Sequence, residues 1–180
     1  MKNSEKETLR AFLKEKRKKI SQERKVEVEH KLLEELYPQL VEYKYVLSFA
    51  SFGDEINLWS LNTLLCQEKR LLLPRTEDSH LKIYHVDDLK ELIPSKFGFL
   101  EPDPKKTILF NKQERICALI PALGFDRYHH RLGYGKGHFD RFLAELKHAV
   151  TIGIGFKEQL IGEALPIEKH DIKLDRLMLF

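Results

Sequence analysis

The sequence predicts an α/β fold: a single three-layer α/β/α domain whose helices cover both faces of a mostly parallel or mixed central sheet. Short apolar runs alternate with segments of helical periodicity from residue 43 onward, and the first 36 residues have helical spacing. A chain of 180 residues can bury one sizeable core but is too short for two ordinary domains. We therefore expect one domain at 1–180, with a basic N-terminal helical segment, 1–36, packed on a sheet region at 43–180.

The composition favours a folded protein over a disordered one, with 42% apolar and 33% charged residues. The balance of 31 Lys and Arg against 28 Asp and Glu gives a net charge of only +3, which does not by itself imply a nucleic-acid partner. The longest uncharged apolar stretch, 116–125, is far shorter than the roughly 20 residues of a membrane span. The charged amino terminus does not resemble a signal peptide, so we expect a cytoplasmic protein without membrane contact.

Cys66 and Cys117 lie in apolar runs and are expected in the core. The eight histidines show no tight metal-ligand spacing. Neither a disulfide framework nor a zinc site is therefore expected.

Two helices are predicted at the amino terminus. Ser4 and Glu7 match a capping box for the first, and Ser21 is expected to cap a second that ends before Pro38. The expected apolar face of the first helix is Leu9, Phe12, Leu13 and Ile20, and the remaining faces carry Lys14, Lys16, Arg17, Lys18 and Lys19. This basic surface is either a solvated helix face or a site that attracts a polyanion such as a nucleotide or nucleic acid.

Further along the chain, strands and helices alternate. A helix is expected after Asn57, which would cap it, and another at about 139–147. The stretch 94–106 holds three prolines and one glycine and is expected to be a loop. The predicted strands are 45–49, 70–74, 81–86, 116–120, 150–156 and 177–180.

The segment 131–140 is the strongest candidate for ligand binding. Gly133, Gly135 and Gly137 leave backbone amides open to an anion, and Arg131 and Lys136 add two cations. A helix that follows directly would point its amino terminus at the same place, beyond the carboxyl ends of the strands. The pattern matches neither a Walker P-loop nor a dinucleotide fingerprint. A polyphosphate site and a plain tight turn are both compatible with it.

Three carboxylates are further candidates for a ligand site. Asp140 and Asp171 are candidates to hold a magnesium ion, which is usually bound by one or two carboxylates and by phosphate oxygens, although each aspartate could instead cap a helix. Glu55, which follows Asp54 in a turn after a strand, could recognise a polar heterocycle or face solvent.

The motifs resemble, in order and spacing, those of the 5-formyltetrahydrofolate cyclo-ligase family, also called 5,10-methenyltetrahydrofolate synthetases. The resemblance covers nearly the whole chain, and the joint order of the motifs is more specific than any one of them. They are Lys6-x-x-x-Arg10, Ser48 to Glu55, Leu73-Pro74-Arg75, Phe97-Gly98-Phe99-Leu100-Glu101-Pro102, Pro121 to Asp126, Arg131-Leu132-Gly133-x-Gly135-Lys136-Gly137-x-x-Asp140, Gly155-Phe156-x-x-Gln159 and His170-Asp171-x-x-x-Asp175.

The resemblance implies an enzyme that closes a ring in 5-formyltetrahydrofolate with hydrolysis of MgATP, acting as a monomer without nucleic acid. It implies ATP contacts from Lys6, Arg10, Arg131, Leu132, Gly133, Tyr134, Gly135, Lys136, Gly137 and Asp140. It implies folate contacts from Ala50, Glu55, Tyr134, Gly135, Lys136, Gly137 and His138. Asp140 and Asp171 would hold Mg²⁺, and Lys136 and Arg131 would stabilise the transferred phosphoryl group.

The chain departs from the family pattern directly after the glycine-rich segment. The family usually has two aromatic residues there, whereas this chain has His138 and Phe139. This departure leaves open a nucleotide-binding relative that acts on another small substrate. The basic first helix separately leaves open a non-catalytic nucleic-acid-binding protein.

Overall fold

A mixed β-sheet forms the centre of the protein. The computed structural model describes residues 2–78, 80–111, 114–146, 148–168 and 171–180. The strands are β1 (Tyr45–Leu47), β2 (Leu71–Glu77), β3 (His80–His85), β4 (Leu92–Pro94), β5 (Leu100–Pro102), β6 (Ile108–Leu109), β7 (Ile116–Ile120), β8 (Gly124–Asp126), β9 (Arg131–Leu132), β10 (Ala149–Gly155), β11 (Leu160–Ile161) and β12 (Arg176–Leu179).

The central sheet has the strand order β12-β10-β7-β1-β2-β3-β6. Pairing is parallel from β12 through β2, and β3 and β6 then add antiparallel strands at one edge. Strands β11, β8 and β9 form a small second sheet, and β4 pairs with β5 as a hairpin. The mixed central sheet confirms the predicted fold class.

The helices are α1 (Lys2–Lys18), α2 (Gln22–Leu40), α3 (Trp59–Gln67) and α4 (His138–Glu145). Helices α2 and α3 pack on one face of the central sheet, where Leu32 and Leu61 lie in one apolar cluster with Val46. Helix α4 covers the other face, where Phe142 packs in a second cluster with Leu47. Because consecutive strand residues point to opposite faces, Val46 and Leu47 serve the two clusters in turn. None of the described helices is long and apolar enough to cross a membrane.

Helix α1 packs against the small sheet rather than against the central one. Leu13 of α1 shares an apolar cluster with Leu132 of β9. A Cβ atom at Gly124 would lie 2.8 Å from the end of the Leu13 side chain, so a larger residue there would displace this buried leucine. This contact positions α1 against strands β8 and β9 of the small sheet.

The start and end of the N-terminal helices differ partly from the sequence prediction. Ser21 caps α2 as predicted, its hydroxyl accepting a hydrogen bond from the Arg24 amide at 3.2 Å. Ser4 does not cap α1, because the helix already begins at Lys2. Helix α2 also continues through Pro38 to Leu40, whose buried side chain and Arg70-bound carbonyl stabilise the last turn.

Three further expectations need correction. Leu58, not Asn57, is the residue that precedes α3, although the Asn57 side chain still accepts a hydrogen bond from the Trp59 amide. Strand β2 does not end at Pro74 but continues to Glu77. Its pairing with β1 ends at Leu72, so the β1 side of the strand is open at Pro74, and an open side tolerates a residue without an N–H. The predicted loop 94–106 contains most of the β4–β5 hairpin.

The two cysteines agree with the sequence prediction. Cys66 and Cys117 are free and buried. Burial raises the pKa of the Cys117 thiol to about 12. Both therefore behave as small core residues.

Candidate functional site

A cleft of about 820 Å³ lies beyond the carboxyl ends of β1 and β7, beside β2 and beneath α1. This is the edge at which the sheet topology predicts a ligand. Every residue to which the sequence assigned a site role lines this cleft: Lys6, Arg10, Ala50, Glu55, Arg131, Leu132, Gly133, Tyr134, Gly135, Lys136, Gly137, His138, Asp140 and Asp171. The structure thus brings together positions separated by up to 165 residues in the chain.

The glycine-rich loop connects β9 to α4 along one wall of the cleft. Gly135 has a φ of +92° and Gly137 a φ of +63°, a region that side-chain-bearing residues rarely adopt. A Cβ at Gly135 would also lie 3.1 Å from the Arg10 guanidinium carbon. Gly137 is the residue that precedes α4, so the amino terminus of the helix lies at the cleft.

Helix α1 supplies cations to the same wall. The Lys6 ammonium donates to Glu168 Oε1 at 2.9 Å and to Asp171 Oδ2 at 3.0 Å. Burial alone would lower the pKa of Lys6, but the hydrogen bonds and charges of these two carboxylates outweigh it and raise the pKa. Arg10 Nε donates to the Gly133 carbonyl at 3.0 Å and so fastens the loop to the helix.

Arg131 and Asp140 form an ion pair at the base of the loop. Arg131 Nη2 donates to Asp140 Oδ1 at 2.5 Å, and Nη1 donates to the Ile172 carbonyl at 2.9 Å. Burial lowers the pKa of the Arg131 guanidinium, and the charges of Asp140 and Asp171 oppose that shift. Asp140 is not a helix cap, because it lies within the first turn of α4 and Gly137 takes the capping position.

Glu55, in the turn after β1, belongs to a second part of the cleft, named here the aromatic end, which borders the glycine-rich loop at Tyr134. Its Oε1 accepts a hydrogen bond from the Tyr134 hydroxyl at 3.0 Å, and its Oε2 accepts one from the Phe52 amide at 3.2 Å. Burial raises the pKa of Glu55, while the positive charge of Arg17 and the hydrogen bond from Tyr134 act against that rise. The residue is therefore engaged in the site and is not a solvated turn residue.

An aromatic wall from the β4–β5 hairpin faces this end. The rings of Phe97 and Phe99 are stacked with centroids 5.9 Å apart, and Phe52 meets Phe99 edge-on at 6.4 Å. The Lys136 ammonium lies 4.1 Å from the centre of the Phe97 ring. A flat, partly apolar ligand can pack here, while its polar edge is within reach of charged groups.

Several lining residues were not assigned a role from the sequence: Glu7, Arg17, Phe52, Phe97, Phe99 and Glu168. Arg17 was expected on an outer face of α1, but it is buried and donates to the Tyr134 hydroxyl. Its spacing from Lys6 is eleven residues, close to three helical turns, and this spacing is the signal that would have placed both on one face. Conversely, Phe12 was expected to be buried and is 61% exposed.

His138 lies in the first turn of α4, at the edge of the cleft. Its Nδ1 is 3.2 Å from Arg141 Nη2, which also donates to the Lys136 carbonyl at the same distance. The imidazole is thus held beside the end of the glycine-rich loop. His138 lines the same cleft as Phe97 and Phe99.

Known proteins resemble the chain in sequence and in fold. The model of the 5-formyltetrahydrofolate cyclo-ligase family matches residues 2–179. A 5-formyltetrahydrofolate cyclo-ligase of Mus musculus is 28% identical over 98% of this chain and 94% of its own. The mitochondrial one of Arabidopsis thaliana is 24% identical over 62% of this chain, a match that spans only 47% of that longer protein.

A solved structure extends the likeness to three dimensions. The 5,10-methenyltetrahydrofolate synthetase of Aquifex aeolicus superposes with a TM-score of 0.83 and 30% identity, covering 96% of this chain and 88% of that one. Sequence and fold agree over almost all of the chain. It therefore belongs to the 5-formyltetrahydrofolate cyclo-ligase family.

Proposed function

We propose that this protein catalyses the ATP-dependent cyclisation of 5-formyltetrahydrofolate to 5,10-methenyltetrahydrofolate, with release of ADP and phosphate. The observation that carries the proposal is the convergence of two chemically different ends in one cleft. One end is cationic and glycine-rich, and the other combines a carboxylate with stacked aromatic rings. A volume of about 820 Å³ is at the upper end of the usual range for ligand sites, as two substrates require.

The glycine-rich end suits the triphosphate of ATP. Loop amides and the start of α4 can donate to phosphate oxygens, and Lys6 and Arg10 of α1 supply positive charge at the same wall. Lys6 is held by two carboxylates and Arg10 by a carbonyl. Both cations are thus positioned in advance by contacts that a triphosphate can replace.

Magnesium would accompany the nucleotide. Among the residues that the structure describes, no group of three or more histidine, cysteine or acidic side chains is arranged to hold a metal by itself. Two carboxylates, Asp140 and Asp171, do line the cleft beside the glycine-rich loop, and this donor set fits an ion that also binds phosphate oxygens. When bound there, Mg²⁺ would neutralise part of the phosphate charge.

The aromatic end suits the folate. The fused heterocycle and benzoyl ring of the substrate are flat and can pack against Phe97 and Phe99. A carboxylate such as that of Glu55 can accept from the adjacent ring N–H and amino group of a pterin. His138 and the backbone near Ala50 complete this part of the site in the proposal.

The reaction then needs alignment more than an elaborate covalent apparatus. The formyl oxygen attacks the γ-phosphorus, the bond from that phosphorus to the β–γ bridging oxygen breaks, and ADP leaves. N10 attacks the activated formyl carbon, the carbon–oxygen bond to phosphate breaks, and the proton from N10 is lost to give the methenyl bridge. Lys136 would stabilise the transferred phosphoryl group, and Arg131 would add charge while it holds Asp140 in place.

The first test is a direct activity assay: the purified protein is mixed with MgATP and 5-formyltetrahydrofolate, and the absorbance of the methenyl product is followed. Product formation that requires ATP hydrolysis is the expected result, with a non-hydrolysable ATP analogue as the negative control. A protein that binds ATP but forms no methenyl product with a 5-formyl substrate would contradict the proposal. The ratio of ADP to methenyl product should be one, because each cyclisation consumes one phosphoryl group.

The basic first helix does not favour a nucleic-acid function. Lys6, Arg10 and Arg17 point into the cleft, where they contact protein groups. Exposed lysines remain on the outer side of α1, and Lys18 there pairs with Glu15 at 2.9 Å. Lys6 and Arg10 supply positive charge to the cleft in the proposed reaction, a role that binding of nucleic acid to the outer surface of the helix would not give them.

A further inference from the structure

Arg17 is a buried cation that the proposed reaction does not yet use. It is 8% exposed, and removing a guanidinium from water is costly unless its donors are paired. Within the described part of the chain, one side chain accepts a hydrogen bond from it, Tyr134 at 2.8 Å, and its buried Nε has no partner. One hydrogen bond does little to offset the cost of burying this charge, so the stability of the fold alone does not explain an arginine at this position.

The direction of the hydrogen bonds that follow from Arg17 is fixed by chemistry. Arginine donates and cannot accept, so the Tyr134 hydroxyl must be the acceptor in this contact. The single proton of that hydroxyl is then directed at Glu55 Oε1, 3.0 Å away. The second oxygen of Glu55 accepts from the Phe52 amide. Both oxygens thus receive donors, which is the pattern of an ionised carboxylate in a fixed orientation.

We propose, on the basis of the proposed function, that Arg17 is a positioning residue: through Tyr134 it holds Glu55 as an oriented carboxylate for the donor edge of the folate heterocycle. Arg17 itself need not touch the substrate. Its effect reaches the substrate through a hydroxyl and a carboxylate that both line the cleft. A lysine could supply the charge but not the planar, rigid donor geometry of a guanidinium.

Electrostatics around Glu55 gives this arrangement a measurable consequence. The charged and titratable groups that face it are Arg17 of α1 and Tyr134 of the loop, and Lys14 of α1 lies over the Tyr134 ring. The adjacent Asp54 is paired with Lys25 of α2 at 3.2 Å. Burial raises the pKa of Glu55 and Arg17 opposes this, so loss of Arg17 must raise that pKa further. A protonated Glu55 would lose acceptor capacity, and folate binding would weaken toward acid pH.

The test measures the Kd of 5-formyltetrahydrofolate and of ATP separately by titration calorimetry, from about pH 5.5 to about pH 8.5. For Arg17→Met, the folate Kd should rise roughly tenfold near pH 6 and less than about threefold near pH 8.5, as expected for a displaced titration. The ATP Kd should change less than about twofold. Arg17→Lys should recover part of the loss at acid pH.

Two more variants separate this role from mere support of the fold. Tyr134→Phe removes the intermediate hydroxyl while leaving Arg17 in place, and it should displace the pH profile of folate binding in the same direction. Lys18→Met removes one positive charge from the exposed side of α1 and should leave the profile unchanged. Tyr134→Phe also keeps the inference testable if Arg17→Met does not fold.

The inference is overturned if the Arg17 and Tyr134 variants bind folate with the wild-type pH profile, or if the ATP and folate Kd values rise together at every pH. Turnover distinguishes this failure from that of the proposed function. A wild-type protein that binds folate but forms no methenyl product would refute the proposed reaction, and the positioning role of Arg17 would still be judged by the Kd values. A wild-type protein that does not bind folate would overturn both.

Discussion

The guanidinium of Arg131 lies 2.5 Å from the carboxylate of Asp140, and the Arg131 side chain is almost fully buried. The pair joins the start of the glycine-rich loop to the first turn of α4. Because Asp140 is a proposed magnesium ligand, the same carboxylate serves two cations. This double role determines what its replacement should do.

Asp140→Asn should raise the Mg²⁺ concentration needed for half-maximal turnover by at least about tenfold, because one proposed ligand is lost. It should also lower the free energy of unfolding, since Arg131 is left buried without its counter-charge.

Asp171→Asn should raise the Mg²⁺ requirement by a similar factor. Turnover is measured against Mg²⁺ well below the melting temperature of each variant. Asp87→Asn, at an exposed position, serves as the control. Wild-type Mg²⁺ curves for both cleft variants would remove the metal assignment.

Lys136→Ala should reduce turnover strongly and leave the fold intact. The residue is exposed, and its ammonium lies over the Phe97 ring, so little packing is lost when it is shortened. If it contacts charge that develops during phosphoryl transfer, the loss in kcat corresponds to about 2–4 kcal/mol of transition-state stabilisation. The measurement is kcat together with the melting temperature. Lys105→Ala, which removes an exposed lysine outside the cleft lining, should have wild-type kcat. A folded Lys136→Ala protein with the wild-type rate would sink the assignment.

The fold was largely predictable because its signals are local. The apolar run at 116–120 becomes β7, and each of its residues is buried, as expected of a central parallel strand. Ser21 caps α2 because its hydroxyl needs only an amide three residues away. Pro74 was misassigned because its effect depends on β1, which ends beside Leu72, and no pattern within 70–74 contains that information.

The residues that line the cleft could be predicted from the sequence, but their contacts could not. Motif order brought Arg10 and Gly133 into one site, yet their hydrogen bond spans 123 residues and follows from the packing of α1 on Gly124. Arg17 was placed outside because it stands among lysines, and charged residues are rarely buried. Its guanidinium donates to the Tyr134 hydroxyl, which a distant loop supplies, and no pattern within α1 contains that partner.

Lys6 should stabilise the fold in a pH-dependent way. Its folded-state pKa is raised above the ordinary value of 10.5, so its contribution is complete below about pH 10 and is lost as the pH rises through the folded-state value. Lys6→Met should lower the free energy of unfolding by about 1–3 kcal/mol near pH 8. The figure is kept low because Glu168 is partly exposed and water screens its ion pair with Lys6. Urea unfolding of both proteins from about pH 8 to pH 11 measures it.

The difference between wild type and Lys6→Met should shrink as the pH rises above about 10.5, the ordinary lysine pKa, because the unfolded chain then releases the Lys6 proton while the folded protein still holds it. Lys18→Met, which removes an exposed lysine from the same helix, should leave the urea unfolding curve unchanged at every pH of this range. A Lys6→Met deficit that persists unchanged to high pH would show that the stability comes from packing of the side chain rather than from its charge.

His138 offers the sharpest test of which substrate lies at the edge of the aromatic end. The family usually has an aromatic residue there, and this chain has an imidazole held near Arg141. If the position contacts folate, His138→Tyr should change the KM for 5-formyltetrahydrofolate by roughly two- to tenfold, the value of one ring packing on another. The KM for ATP should hardly move. His148→Tyr makes the same substitution at an exposed position outside the cleft lining and should change neither constant.

The direction of the His138→Tyr effect depends on how much stacking the imidazole already supplies. A tyrosine also gives up the contact between Nδ1 and Arg141, which in turn donates to the Lys136 carbonyl. His138→Gln separates these effects, because an amide can still accept from Arg141 but cannot stack as a ring. If stacking dominates, Gln should raise the folate KM and Tyr should lower it. An ATP KM that moves while the folate KM stays fixed would place His138 on the nucleotide side and refute its assignment to the folate.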